Sequence, residues 1–548
     1  MMRKILFYDT TLRDGSQAEG ISLSSHDKVM IAKRLDQFGI HYIEGGWPGS
    51  NPKDMEFFHM IKKVGIKRSK ITAFGSTRRA HIKVKEDPQV KALLEAGTKV
   101  VTIFGKSWDM HVTEVFKTAL KENLLMIYET VAFLKDRKIE VIYDAEHFFD
   151  GFKANPEYAL KTLQQAAKAG ANNLTLCDTN GGTLPHEIRH AILRVKRAVK
   201  TPLGIHCHND AELAVANSVQ AVGEGCALVQ GTVNGYGERC GNANLVSIIP
   251  DLQFKMGFKC FSPAKLKELT ALSHYVAEVC NMPLVNNQPF TGRSAFAHKG
   301  GVHINAMVKN AKTYEHVEPK AIGNYRRYLV SELGGKTNIM IKAKELEMHF
   351  QKDSAETKKI LTEIQRLEHE GYQFEAAEAS FELLVQKLLG KFKPFFKIED
   401  ISVRTENIGK GVPRSIADVK ITARGAEHFE SAEGDGPVNA LDSALRKALA
   451  KTYPVIEQIR LTDYKVRVVN SEAGTAAKVR VFIEFQDKPH SLSKDSKVNG
   501  TNPGNRKSGK NRCQDKDQTW TTVGVHENII EASWKALVEA IEYKLMKV

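Results

Sequence analysis

The sequence predicts a (β/α)8, or TIM, barrel followed by a mostly helical linker region and a C-terminal α+β domain with an internal repeat. Three observations carry this. Short β-rich runs alternate with amphipathic stretches eight times between Lys4 and about Gln253, as a parallel sheet built from βα units requires. Eight units in about 250 residues is the size of a closed barrel. An open dinucleotide-binding sheet would need a Gly-x-Gly-x-x-Gly after its first strand, and the chain has none there.

In order, strands are expected at Ile5–Thr10, Tyr42–Gly46, Ile71–Gly75, Val100–Phe104, Val141–Ala145, Leu174–Cys177, Leu203–His208 and Leu228–Val233. Between the first two, Lys28 to Leu35 repeats apolar residues at helical spacing behind Ser24 or Ser25 as N-cap. Gly39, Gly65, Gly97, Gly170 and Gly223 stand where helices should stop. From Pro263 to about Gly390 the alternation ends. Helical patterns at Lys265–Val279, Ala355–Glu370 and Ala376–Leu389 flank an irregular polar stretch, Asn286 to Thr313. From Phe396 the chain turns β-rich, with runs at Phe396–Val403, Ala417–Ala423, Tyr464–Val469, Val479–Phe485 and Thr519–Val525. Helices Pro437–Ala450 and Asn528–Lys547 close two similar halves, which suggests a duplication. The expected domains are 1–260, 261–392 and 393–548.

The chain carries 79 Lys and Arg against 64 Asp and Glu, a net charge of +15. Part of the surplus sits in the polar stretch 487–517, which reads as a disordered basic insertion without the aromatic residues of a single-strand-binding platform. A basic nucleic-acid-binding protein is therefore the remote alternative. No apolar run approaches the ~18 residues of a membrane span. The first residues, which run straight into a strand-like segment, read as no signal peptide, and none is expected. Seven cysteines without a Cys-x-x-Cys pair fit free thiols in a reducing, cytoplasmic setting.

Barrel sites lie where strands end at the C-terminal face, so the polar residues there are the candidates. They are Thr10, Thr11, Arg13, Asp14 and Gln17 after strand one, and Glu44 on strand two. Strand five supplies Asp144 and Glu146, and strand six Asp178, Thr179 and Asn180. Strand seven supplies His206, His208 and Asp210, and Asn234 to Asn242 follow strand eight. Alternation puts His206 and His208 on one face of their strand, half of a divalent-metal site. A His-x-His pair alone is as often packed or exposed as ligating. Barrel closure brings the ends of strands one, seven and eight together and strengthens the reading.

Asp9-Thr10-Thr11-Leu12-Arg13-Asp14-Gly15-Ser16-Gln17, Glu146, His206-x-His208 and Gly235-x-Gly-Glu-Arg-x-Gly-Asn242 together resemble the signature set of the metal-dependent acyltransferase barrels. That family holds the 2-isopropylmalate, homocitrate and citramalate synthases, with related lyases beside them. The string Tyr42 to Asp54 most resembles the citramalate branch. Phe296-Ala297-His298-Lys299-Gly300-Gly301-Val302-His303 resembles the family's linker motif, in which a histidine serves the barrel of a partner subunit.

The resemblance implies a Claisen condensation of acetyl-CoA with pyruvate and hydrolysis of the thioester; the nearest alternative acceptor is 2-oxoisovalerate, as in 2-isopropylmalate synthase. It implies metal ligands Asp14, His206 and His208, with Asn242 as the fourth. Two imidazoles and a carboxylate suit Zn, Mn or Co, and an oxygen-richer shell admits Mg. Arg13 would face the developing oxyanion or pair with Glu146 or Asp14. Glu146 and His303 would do acid–base work. Thr179 would bind the substrate carboxylate or cap the next helix, and Glu44 would touch substrate or hold Arg13. Tyr314 stands at a substrate-contacting position, while Asn209 and Asp210 read as helix N-cap and support, and Phe148-Phe149 as packing. A homodimer and a C-terminal allosteric domain binding a branched-chain amino acid, isoleucine before leucine, are further implications.

Overall fold

Eight parallel strands close into a barrel in sequential order: β1 (Leu6–Asp9), β2 (Tyr42–Gly46), β3 (Lys70–Ser76), β4 (Val100–Lys106), β5 (Glu140–Glu146), β6 (Asn173–Asp178), β7 (Leu203–Cys207) and β8 (Leu228–Gly231). Closure is direct, with Leu6 to Asp9 of β1 in register with Leu228 to Gly231 of β8. The structure is a computed structural model and describes residues 4–329, 354–406, 413–487 and 519–548. Two units compose it, Met1–Ala297 with Glu315–Arg327, and His298–Tyr314 with Tyr328–Val548.

The strands differ from expectation at their ends. β3, β4, β5 and β6 run further than the apolar runs indicated, because polar residues continue the ladder, those of β4 and β5 facing the lumen at Lys106 and Glu146. β7 stops at Cys207, and His208 pairs instead with Asn242 in an isolated antiparallel bridge. β8 stops at Gly231, where the chain turns so that Thr232 donates its N–H to the Ala243 carbonyl. Ser24, not Ser25, caps the first helix (Ser25–Phe38), in a capping box with Asp27. Gly39 ends it in the left-handed region at φ 107°. Gly97 caps Pro88–Ala96 in the same way, and Gly170 (φ 94°) follows Ala169, the cap of Pro156–Lys168. Two glycine assignments fail. Pro52–Ile61 stops at Lys62, before Gly65, and Ala214–Glu224 runs through Gly223 to stop at Gly225.

Inside the barrel the lower end is plugged by Tyr8, Tyr42, Val100, Ile142 and Leu228. Above it the lumen is polar. The hydrophobic core lies outside the sheet, between strands and helices, where Ile103, Ile127, Tyr143, Leu163, Ile192 and Ile205 are fully buried. Each such aliphatic or aromatic side chain contributes about 1.5–3 kcal/mol on burial. That outer shell stabilises the barrel and leaves the lumen available to charged groups.

Past the barrel, the helix expected over 265–279 is two, Pro263–Leu266 and Leu269–Val279. The break sits where the Lys267 carbonyl abuts Gly323, so closely that a Cβ there would lie 2.1 Å from the oxygen. In the second unit, helices Ala355–His369 and Glu378–Leu388 precede two three-stranded antiparallel sheets. The first joins Phe396–Glu406, Arg414–Ala423 and Ala426–Gly434, and Pro437–Ala450 follows it. The second joins Ile459–Val468, Val479–Asp487 and Thr519–His526, and Ile529–Met546 follows it. The expected duplication is therefore visible, and both halves share one core. Strand Ala426–Gly434 was not expected. Its Glu427 and Glu430 are poor strand formers, and it forms because Arg424-Gly425, both at positive φ, make a two-residue hairpin turn. The basic stretch 487–517 lies outside the described residues except for Asp487. Among the described residues no helix is long and apolar enough to cross a membrane.

Candidate active site

The C-terminal ends of β1, β7 and β8 bring three candidate ligands together. One donor atom from each of Asp14, His206 and His208 lies within 4.8 Å of the others, and all three residues are buried. Asp14 Oδ2 stands 3.5 Å from His206 Nε2 and 3.9 Å from His208 Nε2. The turn after β1 sets Asp14, whose N–H donates to the Thr10 hydroxyl at 3.3 Å. Burial opposes the charge on Asp14, but Arg13 and the two imidazoles outweigh it and bring its carboxyl to about 2. Burial, then the neighbouring His208, pushes His206 down to about 3, so its ring is neutral. Burial lowers His208 as well.

Asn242 lies beside the group, bridged to His208 through the backbone and hydrogen-bonded to Asp14 through its side chain. Its Nδ2 donates to the Tyr236 carbonyl at 3.2 Å, and its Oδ1 is buried without a hydrogen-bond partner among the described residues. A carboxylate, two neutral imidazoles and an orphaned amide oxygen are the donor set that a divalent cation fits. The loop holding Asn242 folds close. A Cβ on Gly237 would lie 2.1 Å from the Asn242 Nδ2.

Arg13 is fixed from three sides. Its Nε donates to Glu44 Oε2 at 2.9 Å, its Nη1 lies 3.2 Å from Asp14 Oδ2, and its guanidinium sits 3.8 Å from the centre of the Phe74 ring. Glu44 is in turn held by the Tyr8 hydroxyl at 2.8 Å and by Thr10. Of the pairings expected for Arg13, Asp14 is found and Glu146 is not, because Glu146 pairs with Lys106 across the β4–β5 ladder. Asp144 points into the lumen, where burial and then the Glu44 charge raise it to about 7. Tyr143 points outward into the core, as alternation requires.

Thr179 accepts the His147 N–H at 2.9 Å. It does not cap the following helix, Pro185–Ala198, whose N-cap is Leu184. Asn209 is no N-cap either. Leu213 holds that position in Ala214–Glu224, and Asn209 accepts the Ala214 N–H at 3.2 Å. Asp210 receives a two-pronged pair from Arg239, at 2.7 and 2.9 Å. Phe148 and Phe149 are buried in the core, as expected of packing residues. His303, in helix Gly301–Lys309, and Tyr314 belong to the second unit, their rings stacked 4.2 Å apart.

Three family models match the chain: HMGL-like over residues 4–276, homocitrate synthase post-HMGL domain-like over 290–371, and LeuA allosteric (dimerisation) domain over 375–501 and 510–545. The chain is 54% identical to the (R)-citramalate synthase of Aquifex aeolicus, covering 100% of this chain and 99% of that one. It is 49% identical to those of Geobacter sulfurreducens, covering 100% and 98%, and Synechocystis, covering 98% and 95%. The chain belongs to the (R)-citramalate synthase family. The HMGL-like match covers the whole barrel, and the LeuA match contains both three-stranded sheets, so the citramalate synthase family accounts for both units.

Within this member of the citramalate synthase family, sequence reasoning missed two features of the site. Lys106 lies two residues past the apolar run that marks β4 in the sequence; alternation from Thr102 through Phe104 to Lys106 is the signal that turns it into the lumen. An aromatic wall was missed too. Phe74 stacks on Phe104 at 5.4 Å, and Trp47 meets both edge-on, at 5.7 and 5.4 Å. It stands beside Arg13.

Proposed function

We propose that the chain condenses acetyl-CoA with pyruvate and hydrolyses the product to (R)-citramalate and CoA. The acetyl methyl carbon loses a proton and bonds to the ketone carbon of pyruvate. The ketone oxygen becomes the tertiary hydroxyl, and water cleaves the thioester to a carboxylate and a thiol. The observation that carries this reading is Asp14, held between Arg13 and two neutral imidazoles at one end of the barrel.

Asp14, His206 and His208, with Asn242, would hold the divalent ion. When bound, it supplies a Lewis acid and a two-point seat for a 2-oxo acid. Arg13, clamped by Glu44, presents a fixed cation to the ketone oxygen as charge develops there. In this reading Glu44 acts through Arg13. Glu146, with Lys106 beside it, and His303 of the partner subunit share the removal of the methyl proton and the activation of water. Thr179 binds the substrate carboxylate, and Tyr314, stacked on His303, comes with it from the partner subunit. The reading divides the chain into a catalytic barrel (1–260), a linker (261–392) and a regulatory domain (393–548). It makes the enzyme a homodimer inhibited by a branched-chain amino acid, isoleucine before leucine.

The test is thiol release by the purified protein with acetyl-CoA and each oxo acid in turn. A higher kcat/KM for pyruvate than for 2-oxoisovalerate is expected, and the reverse order overturns the proposal.

A further inference from the structure

We propose that Gln230 is a positioning residue that fixes which ring nitrogen of His206 is presented to the metal. The proposal rests on the reading of Asp14, His206 and His208 as ligands. Gln230 lies on β8, points into the lumen and is fully buried. Its Nε2 donates to Asp144 Oδ1 at 2.8 Å and to the Thr175 hydroxyl at 3.2 Å, and its Oε1 stands 3.0 Å from His206 Nδ1.

The direction of this chain of hydrogen bonds follows from the groups themselves. A primary amide has one donating end and one accepting end. Thr175 gives its one hydroxyl proton to Asn173 Oδ1 at 3.1 Å and so can only accept from Gln230. The NH2 end of Gln230 therefore faces Thr175 and Asp144, and its oxygen faces the imidazole. That oxygen only accepts, so His206 carries its proton on Nδ1 and leaves Nε2 with a bare lone pair. Nε2 is the atom that stands 3.5 Å from Asp14 Oδ2. A lone pair and a carboxylate oxygen held face to face repel until a cation lies between them. Asp144, two residues before Glu146 on β5, thus sets a ligand on β7 through a residue of β8.

The other imidazole has no such support. His208 Nδ1 is buried without a hydrogen-bond partner among the described residues. His206 is therefore the preset ligand of the pair, and Gln230 is what presets it. Partners of this kind orient ligating histidines, and losing one weakens metal binding by about 10–100-fold.

The test measures Zn2+ and Co2+ affinity of the metal-free full-length protein by competition with a chelator, with Tm measured alongside. Gln230→Met keeps the shape and removes both ends of the amide, and it should weaken both metals about 10–100-fold. Gln230→Glu keeps an acceptor for Nδ1–H and should bind more tightly than Gln230→Met. A merely structural role would lower Tm in both variants alike and leave metal affinity unchanged. Metal binding by Gln230→Met equal to the unaltered protein overturns the proposal. If that variant does not fold, the 15N ring signals of His206 in the intact metal-free protein decide: a proton on Nδ1 sustains the proposal and a proton on Nε2 overturns it. His206→Ala separates the two readings, since tight metal binding by that variant removes the ligand set itself, whatever Gln230 does.

Discussion

At the scale of single residues, the site works by fixing charges that solvent would otherwise leave loose. Arg13 is held by Glu44, Asp14 and the face of Phe74, so in the proposed reaction its cation would need no rearrangement as the ketone oxygen gains charge. Lysine carries the same charge but offers no planar fork to hold against Glu44. Arg13→Lys should therefore lower kcat by about 10²–10³-fold with a much smaller change in metal affinity, measured by thiol release and chelator competition. A near-normal kcat would show that the fork geometry is irrelevant. His206→Ala should bind metal weakly and lose activity while keeping the barrel's circular dichroism, because the outer core does not include this residue. The direction of His206 was legible in the sequence through strand alternation, and barrel closure brings the ends of β7 and β1 together. Asp14, in the turn after β1, was marked by the motif Asp9 to Gln17 and the family resemblance it carries. Gln230 and Lys106 were not. Alternation along β8 and β4 turns both inward, but no motif or residue type marks Gln230 out, and Lys106 lies beyond the apolar run that identifies its strand.

At the scale of elements, the strands were legible and their ends were not. Apolar runs identify the middle of a buried parallel strand, while the polar residues that extend it toward the site look like loop. That is why β5 was expected to stop one residue before Glu146 and β4 two before Lys106. The loop after β8 shows what a loop must do here. Gly237 lies against the Asn242 amide, with room for no side chain. Gly237→Ala must push Asn242 aside, and overpacking of this kind costs about 1–3 kcal/mol. The expected result is a lower Tm together with weaker metal binding than in the unaltered protein. A lower Tm with intact metal affinity would take Asn242 out of the ligand set.

At the scale of the whole molecule, the second unit carries its own pH dependence. Glu539 on helix Ile529–Met546 accepts a hydrogen bond from Ser380 on helix Glu378–Leu388. Burial raises its carboxyl from 4.5 to about 7, against the opposing pulls of Ser380 and Lys387. A carboxyl raised on folding favours the protonated form. Its contribution is therefore full below about pH 4.5 and is lost as the pH rises through about 7. Glu539→Gln keeps the acceptor for Ser380 and cannot ionise. It should raise the Tm of this unit by a few degrees at pH 8 and change it little at pH 5, read by calorimetry. An equal gain at both values would mean that packing, not charge, is responsible.

Assembly gives the remaining test. If His303 serves the barrel of the partner subunit, a dimer holds two sites, each built from both chains. His303→Ala and Arg13→Ala homodimers are then both inactive, but a mixed dimer has one site with both defects and one with neither. Random exchange of equal amounts makes half the dimers mixed, so about a quarter of all sites should recover. Thiol release should return toward that fraction after subunit exchange, which is followed separately with differently tagged chains. Exchange without any recovery would place His303 on its own chain's barrel or outside the reaction.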